Sequence, residues 1–403
     1  MGKLGIERLE RLGRLERPGR LERLGDVCTI QSGGTPSRSK KEFWDGGTVP
    51  WVKISDFDGI YLDSTEEKIT EKGLAQSSAK LFTKGTILYS IFATLGEVCI
   101  LDIDAATNQA IAGITIKDEE IDQKYLYYFL CSIKPKIMKI GRGVAQNNIN
   151  LSILRSLEMP IPSLEEQKKM AGVLDAATAL ATKRRRQLAL LDTLTQSRFV
   201  EMFGIWPQNN KNWEIGTIKD VVSEVRYGSS RPAVVGGKYP YLRMNNITYT
   251  GGLDLTDIKY IDIPDNELDK CTVRKGDVLF NRTNSRELVG KTCVYDRDDM
   301  MVLAGFVIRV RVNERVTPLF LSAFLNTDFS KHMLFNMCKN AIGQANINAK
   351  ELQGIGIYIP PISLQNEFSE FVSEVDRQKA ALRRSLTALT TLKSALLQEY
   401  FGE

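Results

Sequence analysis

The residues that could do chemistry are few, and their spacing argues against most of it. His332 is the only histidine of 403 residues, so no catalytic triad or zinc site can be built from histidine pairs, and it reads as a helix surface residue. Six cysteines (Cys28, Cys99, Cys131, Cys271, Cys293, Cys338) contain no Cys-x-x-Cys pair, which argues against zinc and against a disulfide scaffold. They read as reduced and mostly buried. Asp63 and Glu66-Glu67-Lys68 carry the letters of a metal nuclease without its context, and surface charge accounts for them better. Ser285 to Thr292 approaches a phosphate loop, but serine replaces the first glycine, and the counterpart Leu95-Gly96-Glu97-Val98 has no lysine or threonine. It is expected to be an ordinary strand turn. Gly141-x-Gly143 and Gly354-x-Gly356 lack a third glycine, and no Asn-Pro-Pro-aromatic motif of adenine methylation occurs. The chain is therefore expected to hold no catalytic residue and no metal.

What remains is the chemistry of nucleic-acid contact: cations and polar groups for phosphates, and Arg, Lys, Asn or Gln for base edges. In the first half the candidates are Arg38, Lys40, Lys41, Lys53, Arg142, Gln146 and Asn148. In the second they are Arg226, Arg231, Arg243, Asn245, Asn246, Arg282, Asn284, Arg286, Gln344 and Asn346. Each also reads as a solvated surface group. Lys183-Arg184-Arg185-Arg186 is a denser cluster, either a solvated helix face or a contact to phosphates between half-sites. A net charge of +5 permits nucleic-acid binding without demanding it.

These candidates are positioned by a duplication. Residues 145–204 align with 343–402 at an offset of 198 without a gap, with 17 of 60 positions identical. Each copy opens on Gln-x-Asn-Ile-Asn, passes Ile161-Pro162 or Ile359-Pro360, reaches Gln167 or Gln365, and ends at Phe-Gly. Proline before and glycine after punctuate a helix, here of roughly 40 residues or about 60 Å. Phe368, Val375, Leu382, Leu389 and Leu396 recur every seven residues, flanked by Phe371, Leu386 and Leu392. Leu174, Ala177, Leu188, Leu191 and Met202 suit the same seam in the first copy, where Arg184 and Arg198 stand in place of leucines. The pattern fits a coiled coil or two helices of a bundle core; the duplication favours pairing with each other about a pseudo-twofold axis.

The repeat extends upstream. Ser32-Gly33-Gly34-Thr35-Pro36-Ser37 answers to Tyr227-Gly228-Ser229-Ser230-Arg231-Pro232, Val49–Lys53 to Tyr239–Arg243, Lys84–Tyr89 to Lys275–Phe280, and Cys99 to Cys293. Lys53 and Arg243 are thus equivalent. Short apolar runs, turns and a helix from Leu126 to Ile140 make an α+β pattern with little sign of parallel β-α-β units. Residues 9–26 are three hexapeptides of the type Leu-Glu-Arg-Leu-Gly-Arg, in which Gly and Pro disfavour a helix. The expected organisation is a flexible tail over 1–24, a recognition domain over 25–160, a helix over 161–205, a second domain over 206–359 and a helix over 360–403.

This order resembles the specificity subunit of type I restriction-modification systems, over roughly residues 24–403. The phrases that carry the resemblance are Leu24-Gly25-Asp26-Val27 leading to the 32–36 loop, the Lys-Gly-x-x-Leu strands at Lys84 and Lys275, the Gln-x-Asn-Ile segments and, most specifically, Ile161-Pro162-Ser163-Leu164-Glu165-Glu166-Gln167 with its counterpart Ile359 to Gln365. The chain departs from the family at its start, where a tryptophan-containing lead like Trp213-Glu214-Ile215 is replaced by the hexapeptides. The resemblance implies two target-recognition domains, each reading half of a split double-stranded DNA site, held apart by an antiparallel helix pair. It also implies a non-catalytic subunit without cofactors of its own, placing DNA before two modification subunits that carry S-adenosylmethionine and before restriction subunits that use ATP and magnesium. No run of 18 apolar residues and no signal peptide occurs, so no membrane role and a cytoplasmic location are expected. A protein–protein scaffold built on the helix pair, or a self-contained nuclease or NTPase, is the alternative.

Overall fold

The computed structural model describes residues 19–142, 148–338 and 344–402. The chain divides into two compact units, one running to Lys183 and resuming at Ser385, the other spanning Arg184–Arg384. Each long helix is thereby shared, its first half belonging to one unit and its second half to the other.

In the first unit, Cys28–Ser32, Ile111–Ile116, Ile87–Ser90 and Val98–Leu101 form an antiparallel sheet, to which Tyr61–Leu62 adds in parallel. A second sheet runs Glu67–Ile69, Val49–Val52, Ala105–Thr107, Leu81–Phe82. The second unit repeats this with Val222–Tyr227, Val307–Val312, Val278–Asn281 and Thr292–Val294, and with Lys259–Ile261, Tyr239–Leu242, Met301–Leu303 and Thr272–Val273. The mixed sheets without β-α-β repetition bear out the α+β class.

The helix expected from Leu126 to Ile140 is two helices, Gln123–Ser132 and Lys134–Arg142. Pro135 has no N–H to continue the first and is tolerated in the first turn of the second.

The first strand corrects the tail boundary. Arg20–Arg23, inside the hexapeptide array, pairs antiparallel with Glu158–Ile161, as Glu214–Thr217 pairs with Gly356–Ile359. Main-chain pairing is indifferent to the missing tryptophan, and Leu24 anchors the strand by full burial. The rest of the expected tail, residues 1–18, lies outside the described residues.

The long helices are Leu164–Phe203 and Ile362–Phe401. Gly204, at φ +88°, closes the first with its N–H on the Val200 carbonyl at 2.8 Å. The repeated glutamines fasten their starts. Gln167 is buried, accepts the Asp122 N–H at 2.9 Å and donates to the Glu120 and Pro162 carbonyls at 2.8 and 2.9 Å. Gln365 does the same with the Thr317 N–H and the Arg315 and Pro360 carbonyls. Asp122 and Thr317 are themselves helix N-caps, so one amide side chain ties each long helix to the start of its domain's core helix.

The helices pair antiparallel, as expected. In the second unit Arg198 meets Glu367 at 2.9 Å and Asp192 meets Lys379 at 2.7 Å. In the first, Leu396 and Tyr400 share a core with Met170, Ala171 and Leu174. Of the expected seam, Leu174, Met202, Phe368, Val375, Leu389 and Leu396 are buried, while Leu188, Leu191 and Leu382 are half-buried.

Candidate nucleic-acid interface

In each domain backbone hydrogen bonds gather the same loops into one rim. In the first, Gly34 N–H donates to Thr107, Asn108 to Val52, Ile91 to Ala110 and Ile149 to Ile91. In the second the equivalent bonds run Ser229 to Leu303, Ala304 to Leu242, Arg282 to Phe306 and Ile347 to Arg282. Main-chain bonding holds a rim whose side chains are free to differ. Glycine is required where the loop crosses the sheet: a Cβ on Gly33 would sit 2.0 Å from Thr107 Oγ1, and one on Gly228 2.2 Å from the Leu303 carbonyl. Trp51 and Tyr241, at equivalent positions, donate from Nε1 and the hydroxyl to that loop, to Gly34 O at 3.2 Å and Ser229 O at 3.0 Å.

The equivalent cations share one local design. Lys53 N–H is capped by Asp56 at 2.7 Å and Arg243 N–H by Asn246 at 2.9 Å. Lys53 Nζ pairs with Glu66 and Glu67 at 2.6 and 2.9 Å, and Arg243 pairs with Asp257 at 2.9 Å. Its hydrogen bonds to the Glu66 and Glu67 carboxylates push the Lys53 ammonium above its usual range. Asn246, expected to contact DNA, is instead buried, its amide donating to the Asp254 carbonyl at 2.8 Å. It shapes the turn, and exposed Asn245 is the one turned outward.

Arg38 also converges on Glu67, at 2.5 Å, with its guanidinium 3.6 Å over the Trp44 ring. Its hydrogen bond holds the Glu67 carboxyl below the ordinary carboxylate range. Lys40 lies over Phe43 at 4.9 Å, and Lys41 is exposed at the start of a short 3-10 turn. In the second domain Arg231 forms a bidentate pair with Glu267 at 2.8 and 3.1 Å, and Arg226 pairs with Glu224. Arg286 donates to the Phe335 carbonyl at 3.0 Å. The structure thus brings Arg38 with Lys53, and Arg282 with Asn284 and Asn346, while Arg231 and Arg286 have their own separate partners.

Arg282 stacks 4.8 Å over Tyr227, whose hydroxyl accepts the Ala349 N–H at 2.8 Å. Thr283-Asn284 and Ala345-Asn346 form a two-residue ladder, with Thr283 Oγ1 donating to Asn346 at 3.0 Å. The first-domain counterpart is the bridge Phe92–Asn148. Within the phrase Gln-x-Asn-Ile-Asn, Gln344 and Asn346 are exposed, Ile347 is buried and Asn348 caps the next helix. Gln146 and the Arg142 side chain lie outside the described residues.

Residue types alone missed the aromatic and amide groups at the rim: Phe92, Gln109, Tyr227 and Phe306, all exposed. The offset that related the two loops was the available signal, since it places Phe92 and Thr283 at the same hairpin tip.

Lys183, Arg185 and Arg186 are exposed and meet no acid among the described residues. Arg184 differs, being half-buried at a seam position and donating to Gln187 at 2.8 Å. The Ser285–Thr292 stretch is a strand turn, as expected: Lys291 is buried and donates to the Met244 carbonyl at 2.8 Å. His332 lies exposed on the helix Asp328–Met337. The cysteines are free, with Cys131 half-buried and the others buried. Among the described residues no group of three or more His, Cys, Asp or Glu could hold a metal, and no helix is long and apolar enough to cross a membrane.

The family model described as type I restriction modification DNA specificity domain matches residues 21–190 and again 210–391. The type I restriction enzyme MjaIX specificity subunit of Methanocaldococcus jannaschii is 29% identical over 249 residues, 55% of this chain and 56% of that protein. The EcoKI specificity subunit of Escherichia coli is 22% identical over 383 residues, 88% of this chain and 82% of that one. The chain thus spans about half the length of the first relative and most of the second. The crystal structure of the type I system S subunit from M. genitalium covers 97% of this chain and 98% of its own, with a TM-score of 0.55 and 16% identity. A chain from a structure of type I system complex assembly and conformational transition covers 96% and 98%, with a TM-score of 0.57 and 20% identity. Both share the fold. With two matches that together take in most of its length, the chain belongs to the type I restriction modification DNA specificity domain family.

Proposed function

We propose that this chain is the DNA-specificity subunit of a type I restriction-modification complex, each domain reading one half of a bipartite double-stranded site while the helix pair sets the distance between halves. The observation that supports this reading best is the rim built twice: the same main-chain bonds carry different side chains, Phe92 and Asn148 in one domain, Arg282, Asn284 and Asn346 in the other. Arginine and asparagine match base-edge patterns in the major groove, so equal scaffolds with unequal side chains suit two unlike half-sites. Lys183, Arg185 and Arg186 supply sequence-independent phosphate contact.

In this reading the chain is not an enzyme. Two modification subunits bring S-adenosylmethionine, restriction subunits bring ATP and magnesium, and the complex works in the cytoplasm. Exposed aliphatics at equivalent positions, Leu21 and Leu164 in one half and Ile215 and Ile362 in the other, suit two copies of one partner.

The test is the methylome of a cell expressing this chain with its neighbouring modification subunit, against the same cell without this chain. New adenine methylation at one split motif is expected. An assembled complex that adds no motif would overturn the reading in favour of a scaffold. Four residues inserted into both long helices should change the gap and leave both half-sites unchanged.

A further inference from the structure

The seam between the long helices is symmetric in its apolar positions and asymmetric in its charges. At the repeat offset Leu174 answers to Val372, Ala177 to Val375 and Met202 to Tyr400, and all six are buried. Apolar burial is non-directional, so this stripe alone would close equally well on the other long helix or on the same helix of a second copy. Two cross-helix ion pairs lack the symmetry. Buried Lys379 meets Asp192 at 2.7 Å, and the counterpart pair is Ala181 with Thr390, whose hydroxyl is given to the Leu386 carbonyl at 2.9 Å. Arg198 meets Glu367 at 2.9 Å, and the counterpart pair is buried Leu396 with exposed Lys169. Asp376, 3.9 Å from Lys379 on the same helix, accompanies the lysine in every pairing and does not discriminate.

We infer that these two ion pairs choose the partner of each long helix, admitting the other long helix and rejecting the same helix of a second copy. Because the repeat has no gap, the antiparallel register can be written for each helix against its own copy. The first helix on itself would set Arg198 against Lys169 and Asp192 against Ala181. The second on itself would set Lys379 against Thr390 and Glu367 against Leu396, and would do so twice in one dimer. A buried charge stripped of its partner is strongly destabilising, and charges that oppose or miss each other across a helix seam set partner choice. Only the unlike pairing satisfies all four groups. The selection does not rest on DNA reading; joined to the proposed function, it keeps two copies of one reading domain from assembling on a symmetric site.

A protease site inserted between exposed Asn210 and Lys211 allows the full chain to be nicked, so that each piece carries one domain and one long helix. Native mass spectrometry then separates like from unlike pairs after exchange at the urea midpoint and return to buffer. Like pairs should stay below about 5% in the native sequence, and should rise to the random share of about half once D192T, K379A, R198L and E367K give both pairs the residues of their counterparts. The charge exchange D192K/K379D should keep like pairs as rare as in the native sequence. Like pairs at the random share in the native sequence, or still absent after the four substitutions, would overturn the inference. The intact chain gives a second reading: D192T alone should lower the urea midpoint of the second unit, and adding K379A should return most of the loss. Additive losses would overturn it as well.

Discussion

The two domains carry one fold on different chemistry, and the contrast is sharpest on the face of the central sheet. In the second domain Arg309, 2% exposed, donates to Glu224 at 3.0 Å, and Arg311 bridges Glu224 and buried Asp277 at 2.6 and 2.8 Å. In the first domain the Asp277 and Arg311 positions are Thr86 and Thr115, 3.4 Å apart. The Arg309 position is Gly113, where a Cβ would meet the Phe82 ring at 2.3 Å. An ion network in one domain answers to two hydroxyls and an aromatic ring over glycine in the other. The shared parts are main-chain crossings, caps and the buried glutamine. Backbone satisfaction is thus what the two domains share, and the side chains on their sheets are interchangeable in kind, even though Arg309 Nε itself makes no hydrogen bond.

The strongest break in that comparison is Arg309→Met. Removing one member of a buried network leaves Glu224 and Asp277 short of a partner, and the expected loss is about 3–5 kcal/mol of second-domain stability, read by urea unfolding. Replacing the whole network with hydroxyl and apolar groups should recover most of it. A neutral Arg309→Met would show that Glu224 and Asp277 do not depend on the buried guanidinium.

The glutamines test the shared part. Gln167→Ala and Gln365→Ala each orphan one N–H and two carbonyls, and each should cost about 2–3 kcal/mol. Equal losses would confirm a common staple; a loss confined to one domain would mean that only that domain depends on it.

How much of this was legible in the sequence depends on what kind of bond is involved. The long helices were readable because Pro162, Gly204 and the heptad of Phe368 to Leu396 are local signals. Gln167 and Gln365 stood out as repeated letters, but two of the three partners of each, a carbonyl and an N–H, lie 45 to 50 residues away where no pattern records them. Arg38 and Lys53 read as available cations because their acid, Glu67, comes to them only through strand pairing of Val49–Val52 with Glu67–Ile69. Asn246 read as a contact residue because a cap and a reader have the same amide. The Arg20–Arg23 strand was hidden because main-chain pairing leaves no side-chain signature in a Gly- and Arg-rich repeat.

Acid should separate the domains further. Burial of Glu224 is outweighed by Arg309, Arg311 and Arg226, so its carboxyl is held below the usual range. Asp257 and Glu267 are held low by hydrogen bonds from Arg243 and Arg231. In the first domain Glu67 and Glu42 are lowered in the same way, by Arg38 and Lys72. A folded pKa below the unfolded one means stability that is present above about pH 4 and lost as pH falls through the folded values. Among the described residues only the second domain has such an acid inside a buried network. Its exchange protection should therefore fall before that of the first domain as pH drops below about 4, and simultaneous loss would show that the network carries no extra linkage.

The smallest effect concerns the stretch that belongs to neither rim. Lys183, Arg185 and Arg186 are exposed without an acid partner among the described residues, whereas Arg184 is held at the seam, so Lys183→Glu, Arg185→Glu and Arg186→Glu together should spare the helix pair. If the three neutralise phosphates, the slope of log affinity against log salt should shrink by up to about 0.9 for each phosphate left without its cation. Both half-sites should stay as they were, because phosphates position a protein without informing it of sequence. A shifted half-site preference would show that these cations help to place a rim on its bases, and the division between reading domains and spacer would have to be redrawn.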